Sequence, residues 1–191
     1  MMNSLSAGED EHPEVEEDAW IHPSAALVGN VRVGAGAYVG PHASLRADER
    51  GPEGDIAPIV VEPEANVQDG VVLHALGGTS VVISKGASVA HGAVVHGPCR
   101  VGPGCFVGFN SVVYDAELGD HVVIMHGALV EGTSIPDGLY VPSMTAVRCE
   151  EDVRALEKAS ESALGFADSV CRTNIGLAER KNAKYDSTDE E

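Results

Sequence analysis

Aliphatic side chains recur at every sixth residue over most of this chain, and this period constrains the fold more than any other feature. A small or β-branched residue stands two places before most of them, as Ala25 does before Leu27. Neither the helical period nor simple strand alternation produces this spacing, whereas a hexapeptide period is typical of a parallel β-helix. The recurring positions are Ile21, Leu27, Val33, Val39, Leu45, Val61, Val67, Leu73, Ile83, Val89, Val95, Val101, Val107, Val113, Leu118, Ile124 and Val130.

We therefore predict an all-β solenoid over residues 19–142, a parallel β-helix of about six coils. Three hexapeptides make one triangular coil, and the inward aliphatic side chains stack between coils as a continuous core. A narrow core of this kind suits a chain with only 4% aromatic residues. Two insertions interrupt the repeat, at residues 47–55 and 75–80. Insertions in a solenoid form loops on one face, which is often the functional one.

The flanks differ from the repeat. Residues 1–18 are rich in acids, and we expect a flexible lead-in there. Residues 143–180 carry apolar side chains at helical spacing, which predicts an amphipathic C-terminal α-helix beside the solenoid. We expect residues 181–191 to be a disordered tail.

The composition narrows the possible partners and location. A formal net charge of -18 disfavours nucleic acid and an anionic membrane surface, because both would repel the chain. No apolar run is long enough to span a bilayer, and no signal peptide is visible, so we expect a cytoplasmic protein. Cys99 and Cys105 occupy inward positions and are predicted to be small core residues rather than disulfide partners.

Two histidines are predicted to be neighbours. When the two insertions are treated as loops, Leu73 and Val95 fall on the same face of consecutive coils. The residues that follow them, His74 and His96, then lie about 4.8 Å apart at the backbone. This separation allows two imidazoles to bind one ion.

A third histidine is predicted to point elsewhere. His91 follows Val89 by two residues and shares a face with Gln68, which turns it about 120° away from the other two on a triangular coil. If the three histidines form one site, that site lies between subunits of a cyclic oligomer. Three neutral histidines with an open position are typical of catalytic zinc. The alternative is ordinary surface histidine, our interpretation of His12, His22, His42, His121 and His126.

Three segments resemble the γ-class carbonic anhydrases. They are Leu45-Arg-Ala-Asp-Glu49, Asn66-Val-Gln-Asp-Gly-Val-Val-Leu-His-Ala-Leu76, and Ala90-His91 followed by His96-Gly-Pro98. The resemblance runs from about Ile21 to Pro142 and keeps the phase of the repeat. It implies a left-handed parallel β-helix, since that is the hand of the hexapeptide family.

The resemblance also implies an activity. His74, His91 and His96 match the family's metal ligands, two from one subunit of a homotrimer and one from its neighbour. The expected ion is Zn²⁺, although Fe²⁺ or Co²⁺ suits imidazole ligands as well. A metal-bound hydroxide would hydrate CO2 reversibly to bicarbonate, which makes the protein a lyase.

Further residues match the family's polar groups. Gln68 and Glu49 correspond to groups near the metal-bound water, Asn66 to a further active-site amide and Asn174 to an asparagine of the C-terminal part of the pocket. From the residues alone, Asn66 and Gln68 could instead form an amide ladder along the coil. Asn174 could be a helix-terminal residue, and Glu49 a solvated loop charge.

Arg46 and Asp48 match a charged pair associated with the subunit interface, and we favour this structural role over a chemical one. The chain departs from the family in one loop. Residues 75–80 contain no acid, whereas some members carry a proton-relaying glutamate after the first ligand. Proton export would then depend on Glu49, on another group or on buffer.

Two alternatives remain open. A hexapeptide-repeat acyltransferase shares the fold, but it would use one histidine as a base and has no need for a stacked pair. A non-catalytic structural or assembly subunit of the same family would agree with the missing acidic loop. The presence or absence of CO2 hydration and of bound metal separates these functions.

Overall fold

The computed structural model describes residues 3–5 and 12–186 of the 191-residue chain. Within these residues, twenty-one short strands and two helices follow one another. In chain order the elements are β1 (Asn3–Leu5), β2 (Glu14–Val15), β3 (Trp20–Ile21), β4 (Ala26–Gly29), β5 (Val31–Val33), β6 (Tyr38–Val39), β7 (Ser44–Ala47), β8 (Ile59–Val61), β9 (Asn66–Val67), β10 (Val72–Ala75), β11 (Val81–Ile83), β12 (Ser88–Val89), β13 (Val94–Val101), β14 (Phe106–Val107), β15 (Val112–Leu118), β16 (Val123–Ile124), β17 (Leu129–Glu131), β18 (Ser134–Ile135), β19 (Leu139–Val141), β20 (Ala146–Val147), α1 (Glu150–Arg154), β21 (Glu157–Lys158) and α2 (Glu161–Asp186).

The strands form the three faces of a parallel β-helix, as the six-residue period predicts. Face A contains β1, β4, β7, β10, the first part of β13 and of β15, β17 and β20. Face B contains β2, β5, β8, β11, the second part of β13 and of β15, and β18. Face C contains β3, β6, β9, β12, β14, β16 and β19. Faces B and C therefore have seven levels each, and face A has eight because β1 pairs with β4, so the helix has about seven coils rather than the six expected.

The inward residues of the repeat form one continuous core. Leu27, Leu45, Leu73, Ile83 and Leu118 are all 0–1% exposed, so the side chains at these hexapeptide positions are removed from water. Their stacking from coil to coil supplies most of the hydrophobic stabilisation, because each coil alone is too small to bury an apolar face.

The solenoid extends beyond the predicted boundaries at both ends. Strand β2 lies within the expected flexible lead-in and pairs with β5 through backbone hydrogen bonds. At the other end β20, beyond residue 142, still pairs with β17. Helix α2 continues to Asp186, so residues 181–186 are helical rather than disordered. The remaining parts of the two flank predictions, residues 1–2, 6–11 and 187–191, lie outside the described residues.

Helix α2 packs along face C through two apolar clusters. One cluster contains Trp20, Tyr38 and Ala178, and the other contains Phe106, Val123 and Ala167 among its buried members. The polar side chains of Asn66 and Ser88 occupy the levels of face C between these clusters. The helix is therefore held at two places and spans a polar gap.

The described residues include no helix that is long and apolar enough to cross a membrane. All four cysteines are free thiols. Cys99 and Cys105 are buried, as predicted, and burial raises the pKa of each thiol to about 12.

Candidate metal centre

The structure confirms the predicted alignment of two histidines on face A. His74 of β10 pairs in register with His96 of β13, one coil further along. His74 Nδ1 lies 3.1 Å from His96 Nε2, and the two ring planes are inclined at 73°. Arg46 of β7 occupies the same register position one coil before His74.

The hydrogen bonds of the pair indicate which nitrogen of His96 carries a proton. His96 Nδ1 lies 3.1 Å from the carbonyl oxygen of Gly97, which can only accept, so Nδ1 carries the proton and donates. The other ring nitrogen, His96 Nε2, then faces His74 Nδ1. Burial lowers the pKa of His74, although nearby Glu49 opposes this shift. The lowered pKa favours the neutral form of His74, which offers a lone pair.

This pair fits a zinc-type ion. Two nitrogen ligands on one tetrahedral zinc are about 3.3 Å apart, given Zn–N distances of about 2.0–2.1 Å, and the 3.1 Å separation is close to that value. With Nδ1 as its ligand atom, His74 would carry its proton on Nε2, which is buried and has no hydrogen-bond partner among the described residues. Within the described part of a single chain, however, no group of three or more His, Cys, Asp or Glu side chains could hold a metal. One chain supplies an incomplete site.

Two carboxylates lie beside the pair. Glu49 Oε1 is 3.3 Å from His74 Nε2, and the nearest oxygen of Asp48 is 3.8 Å from the same nitrogen. Asp48 also accepts hydrogen bonds from Arg46, with a closest distance of 3.0 Å. The predicted Arg46–Asp48 pair therefore forms within one chain, next to the candidate ligands. Its interface role stays a prediction.

The two insertions of the repeat meet beside this pair. Glu49 Oε2 accepts a hydrogen bond of 3.3 Å from the backbone N–H of Gly77. The loops approach so closely that a Cβ at Gly77 would clash with the carbonyl of Arg50. Glycine is thus required at residue 77 by the packing of one backbone against another.

We expect Gly77→Ala to destabilise the protein by about 1–3 kcal/mol, because the new methyl group forces the loops apart. Urea unfolding measures this change. Gly165→Ala is the control, since a Cβ there meets open space on α2 and should be neutral or slightly stabilising. Equal stability of Gly77→Ala and the unmodified chain would show that the loops separate without cost.

The other predicted site residues lie around a second cleft. His91, Gln68 and Asn174 line a cavity of about 410 Å³ between face C and α2. All three phenylalanines of the chain line it as well: Phe106, Phe109 and Phe166. His91 is at the corner after β12, so it does not join the pair on face A, in agreement with the face count.

A short amide network fixes one wall of this cleft. Gln68 Nε2 donates to Asn66 Oδ1 at 2.9 Å, and Asn66 Nδ2 donates to Ser88 Oγ at 2.7 Å. Asn66 and Gln68 are both buried. Asn174 lies in the middle of α2, not at its end, and donates to the carbonyl of Val170 at 2.9 Å. The amide-ladder alternative thus describes Asn66, whereas Gln68 and Asn174 also face the cleft.

The structure adds two polar residues that the sequence did not single out. Asp69 Oδ2 lies 3.5 Å from His91 Nδ1, which is longer than an ordinary hydrogen bond. Tyr38 lines the same cleft, and its pKa is raised by burial and by Asp69. The position of Asp69 directly after Gln68 was a usable signal. No sequence signal pointed to Tyr38.

Comparison with known proteins gives one family model and several relatives. The model described as bacterial transferase hexapeptide (six repeats) matches residues 12–47. A carbonic anhydrase from Methanosarcina thermophila is 32% identical over 188 residues, covering 87% of this chain and 74% of that protein. The carnitine operon protein CaiE of Salmonella agona is 34% identical over 172 residues, covering 88% and 83%.

A further relative is much longer than this chain. The carboxysome assembly protein CcmM of a Nostoc species is 32% identical over 174 residues, and these cover 86% of this chain but only 30% of CcmM. Among solved structures, a hexapeptide transferase family protein from Anaplasma phagocytophilum superposes with a TM-score of 0.75 at 23% identity. The match covers 92% of this chain and 95% of that one, and it shows a shared fold.

Proposed function

The chain belongs to the hexapeptide-repeat family of left-handed β-helices that includes the γ-class carbonic anhydrases, and on that premise we propose that it hydrates CO2 reversibly. The proposed site is a metal centre completed between the subunits of a homotrimer. His74 and His96 of one subunit and His91 of its neighbour would hold the ion. Zinc is the proposed metal.

The observation that carries this proposal is the division of the site residues into two groups. The 3.1 Å histidine pair lies on face A with Glu49, whereas His91 lies around the corner with Gln68 and Asn174. The first group lacks a third histidine, and the second group lacks the histidine pair. A cyclic assembly with head-to-tail interfaces brings these two unlike surfaces together at every interface. An acyltransferase that uses one histidine as a base would need neither group to be arranged in this way.

The residues of the chain would divide the chemistry. The bound ion would lower the pKa of water and so supply a nucleophile for CO2 near neutral pH. Gln68, whose amide donates a hydrogen bond to Asn66, would orient CO2 or bicarbonate at the mouth of the second cleft. Glu49, with Oε1 beside His74, would accept the proton released in each turnover and pass it to solvent.

A second function is favoured by one observation. The short loop after His74 contains no carboxylate, so Glu49 and Asp48 are the acids placed nearest the pair. A chain that has lost fast proton export could serve as a structural or assembly subunit, and CcmM is a relative with an assembly role in its name. The carbonic anhydrase function is the primary proposal because the three histidines, Gln68 and Glu49 are all present. We propose a cytoplasmic location, which agrees with four free thiols.

The test is CO2 hydration measured by stopped flow, with metal content determined on the same sample. We expect about one metal ion per chain and a rate that increases with buffer concentration, because the acidic loop is missing. In dilute buffer, Glu49→Gln should lower the rate about tenfold or more, since it removes the proton acceptor. High buffer should restore much of that loss.

Glu53→Gln is the matched control, because Glu53 is an exposed acid of the same loop. Its rate should equal that of the unmodified protein in all buffers. Full metal occupancy without any hydration would favour the assembly subunit. A rate independent of buffer in Glu49→Gln would show that another group exports the proton.

A further inference from the structure

A ladder of three stacked rings runs along the corner that follows face C. It consists of His91, Phe109 and His126, which come from consecutive coils at the same register position. The ring centroids of His91 and Phe109 are 5.3 Å apart at 27°, and those of Phe109 and His126 are 4.3 Å apart at 7°. Phe109 is therefore sandwiched between two imidazoles.

The His126 end of this ladder is anchored. His126 Nδ1 accepts a hydrogen bond of 3.1 Å from the backbone N–H of Phe109. The ring of Phe106 packs edge-on against the ring of His126, with the two ring centroids 6.3 Å apart. Residue 108 is a glycine whose added Cβ would lie 2.9 Å from His126 Nδ1, so a larger residue would displace the ring. The ring of His126 is therefore restrained by the backbone N–H of Phe109, by the Phe106 ring and by close packing beside Gly108.

The His91 end of the ladder is exposed. The side chain of His91 is 54% exposed, and its polar contact with Asp69 is long at 3.5 Å. A half-exposed histidine at a corner has several accessible rotamers, and fixing it on metal binding costs conformational entropy. Stacking on Phe109 restricts the ring before the metal arrives.

We propose that Phe109, clamped by His126, is a positioning residue that sets the ring orientation of His91. This inference rests on the proposed function, in which His91 is the ligand donated across the subunit interface. Preorganisation of that ligand raises metal affinity without any contact between Phe109 and the ion. It also gives the exposed Phe109, which is 38% accessible, a defined role.

The first measurement needs no metal. In the metal-free protein, the carbon-bound protons of the His91 ring lie over the face of Phe109 and should show upfield NMR shifts. A His91→Gln spectrum assigns these signals. We expect the shifts to be lost in Phe109→Ala, reduced in His126→Gln and kept in Phe109→Tyr.

The second measurement is zinc affinity by competition with a chromophoric chelator. Phe109→Ala should bind zinc about 3- to 10-fold more weakly, the range that corresponds to one aromatic contact. Phe109→Tyr should retain the affinity of the unmodified protein, which a loss caused by misfolding would not show. Met144→Ala is the matched control, because Met144 is an exposed apolar side chain at the same corner, one level beyond His126.

The outcomes separate the two proposals. Unchanged His91 signals and unchanged zinc affinity in Phe109→Ala, in a protein that binds zinc, would overturn the positioning role and leave the metal site intact. Absence of zinc binding by the unmodified protein, with His91 signals that follow Phe109, would overturn the proposed function but not the ring orientation. Equal weakening in Met144→Ala and Phe109→Ala would also overturn the positioning role.

Discussion

Refolding a mixture of His91→Ala and His96→Ala chains should return about a quarter of the activity of the unmodified protein, although each variant alone is inactive. Each variant lacks one of the three ligands, and a zinc site with only two imidazole ligands loses most of its affinity. A His91→Ala chain, however, retains the complete pair on face A. A His96→Ala chain retains the ligand of the second cleft.

The quarter follows from symmetry. In a cyclic trimer that contains both kinds of chain, only one interface presents an intact pair to an intact His91, so one of three sites is rebuilt. With equal mixing about three quarters of trimers are hybrids, and one third of their sites gives about a quarter. Metal content should recover in the same proportion.

The control is a mixture of His74→Ala and His96→Ala chains. Both substitutions damage the same face, so no interface in any hybrid contains a complete set of ligands, and no activity should return. Native mass spectrometry establishes that hybrids have formed. Hybrids without activity in the first mixture would show that the three histidines do not form an intersubunit site.

Ile83→Ala should destabilise the solenoid by about 2–5 kcal/mol, because it empties a fully buried position of the central stack. Ile83 lies on β11, which pairs with β8 on one side and β13 on the other. A cavity there weakens the contacts with both adjacent coils, on which a solenoid depends. Guanidinium unfolding followed by circular dichroism measures the loss.

Val82→Ala is the matched control on the same strand. The side chain of Val82 points away from the core and is partly exposed, so its truncation should cost much less than that of Ile83. Similar costs for the two substitutions would contradict the assignment of alternate residues to core and surface.

The predicted boundaries differ from the structure for a specific reason. Strand β2 contains Glu14, and its pairing with β5 is made by backbone hydrogen bonds and an ion pair of 3.6 Å between Glu14 and Arg32. Backbone pairing at an end level does not require the apolar pattern that identifies the inner coils. The acidic composition of this segment therefore indicated flexibility where the chain forms a strand.

The sequence by itself determined the coil, its inward residues and the alignment of His74 with His96, because a strict period converts position along the chain into position on a face. It also placed His91 on another face by the same arithmetic. Only the tertiary structure decided that Glu49 reaches His74 from one loop, that Asn174 of α2 lines the same cleft as Gln68, and that Phe109 is clamped beside His91. These contacts depend on loop conformation, on helix docking and on side-chain rotamers at a corner, and none of these is periodic.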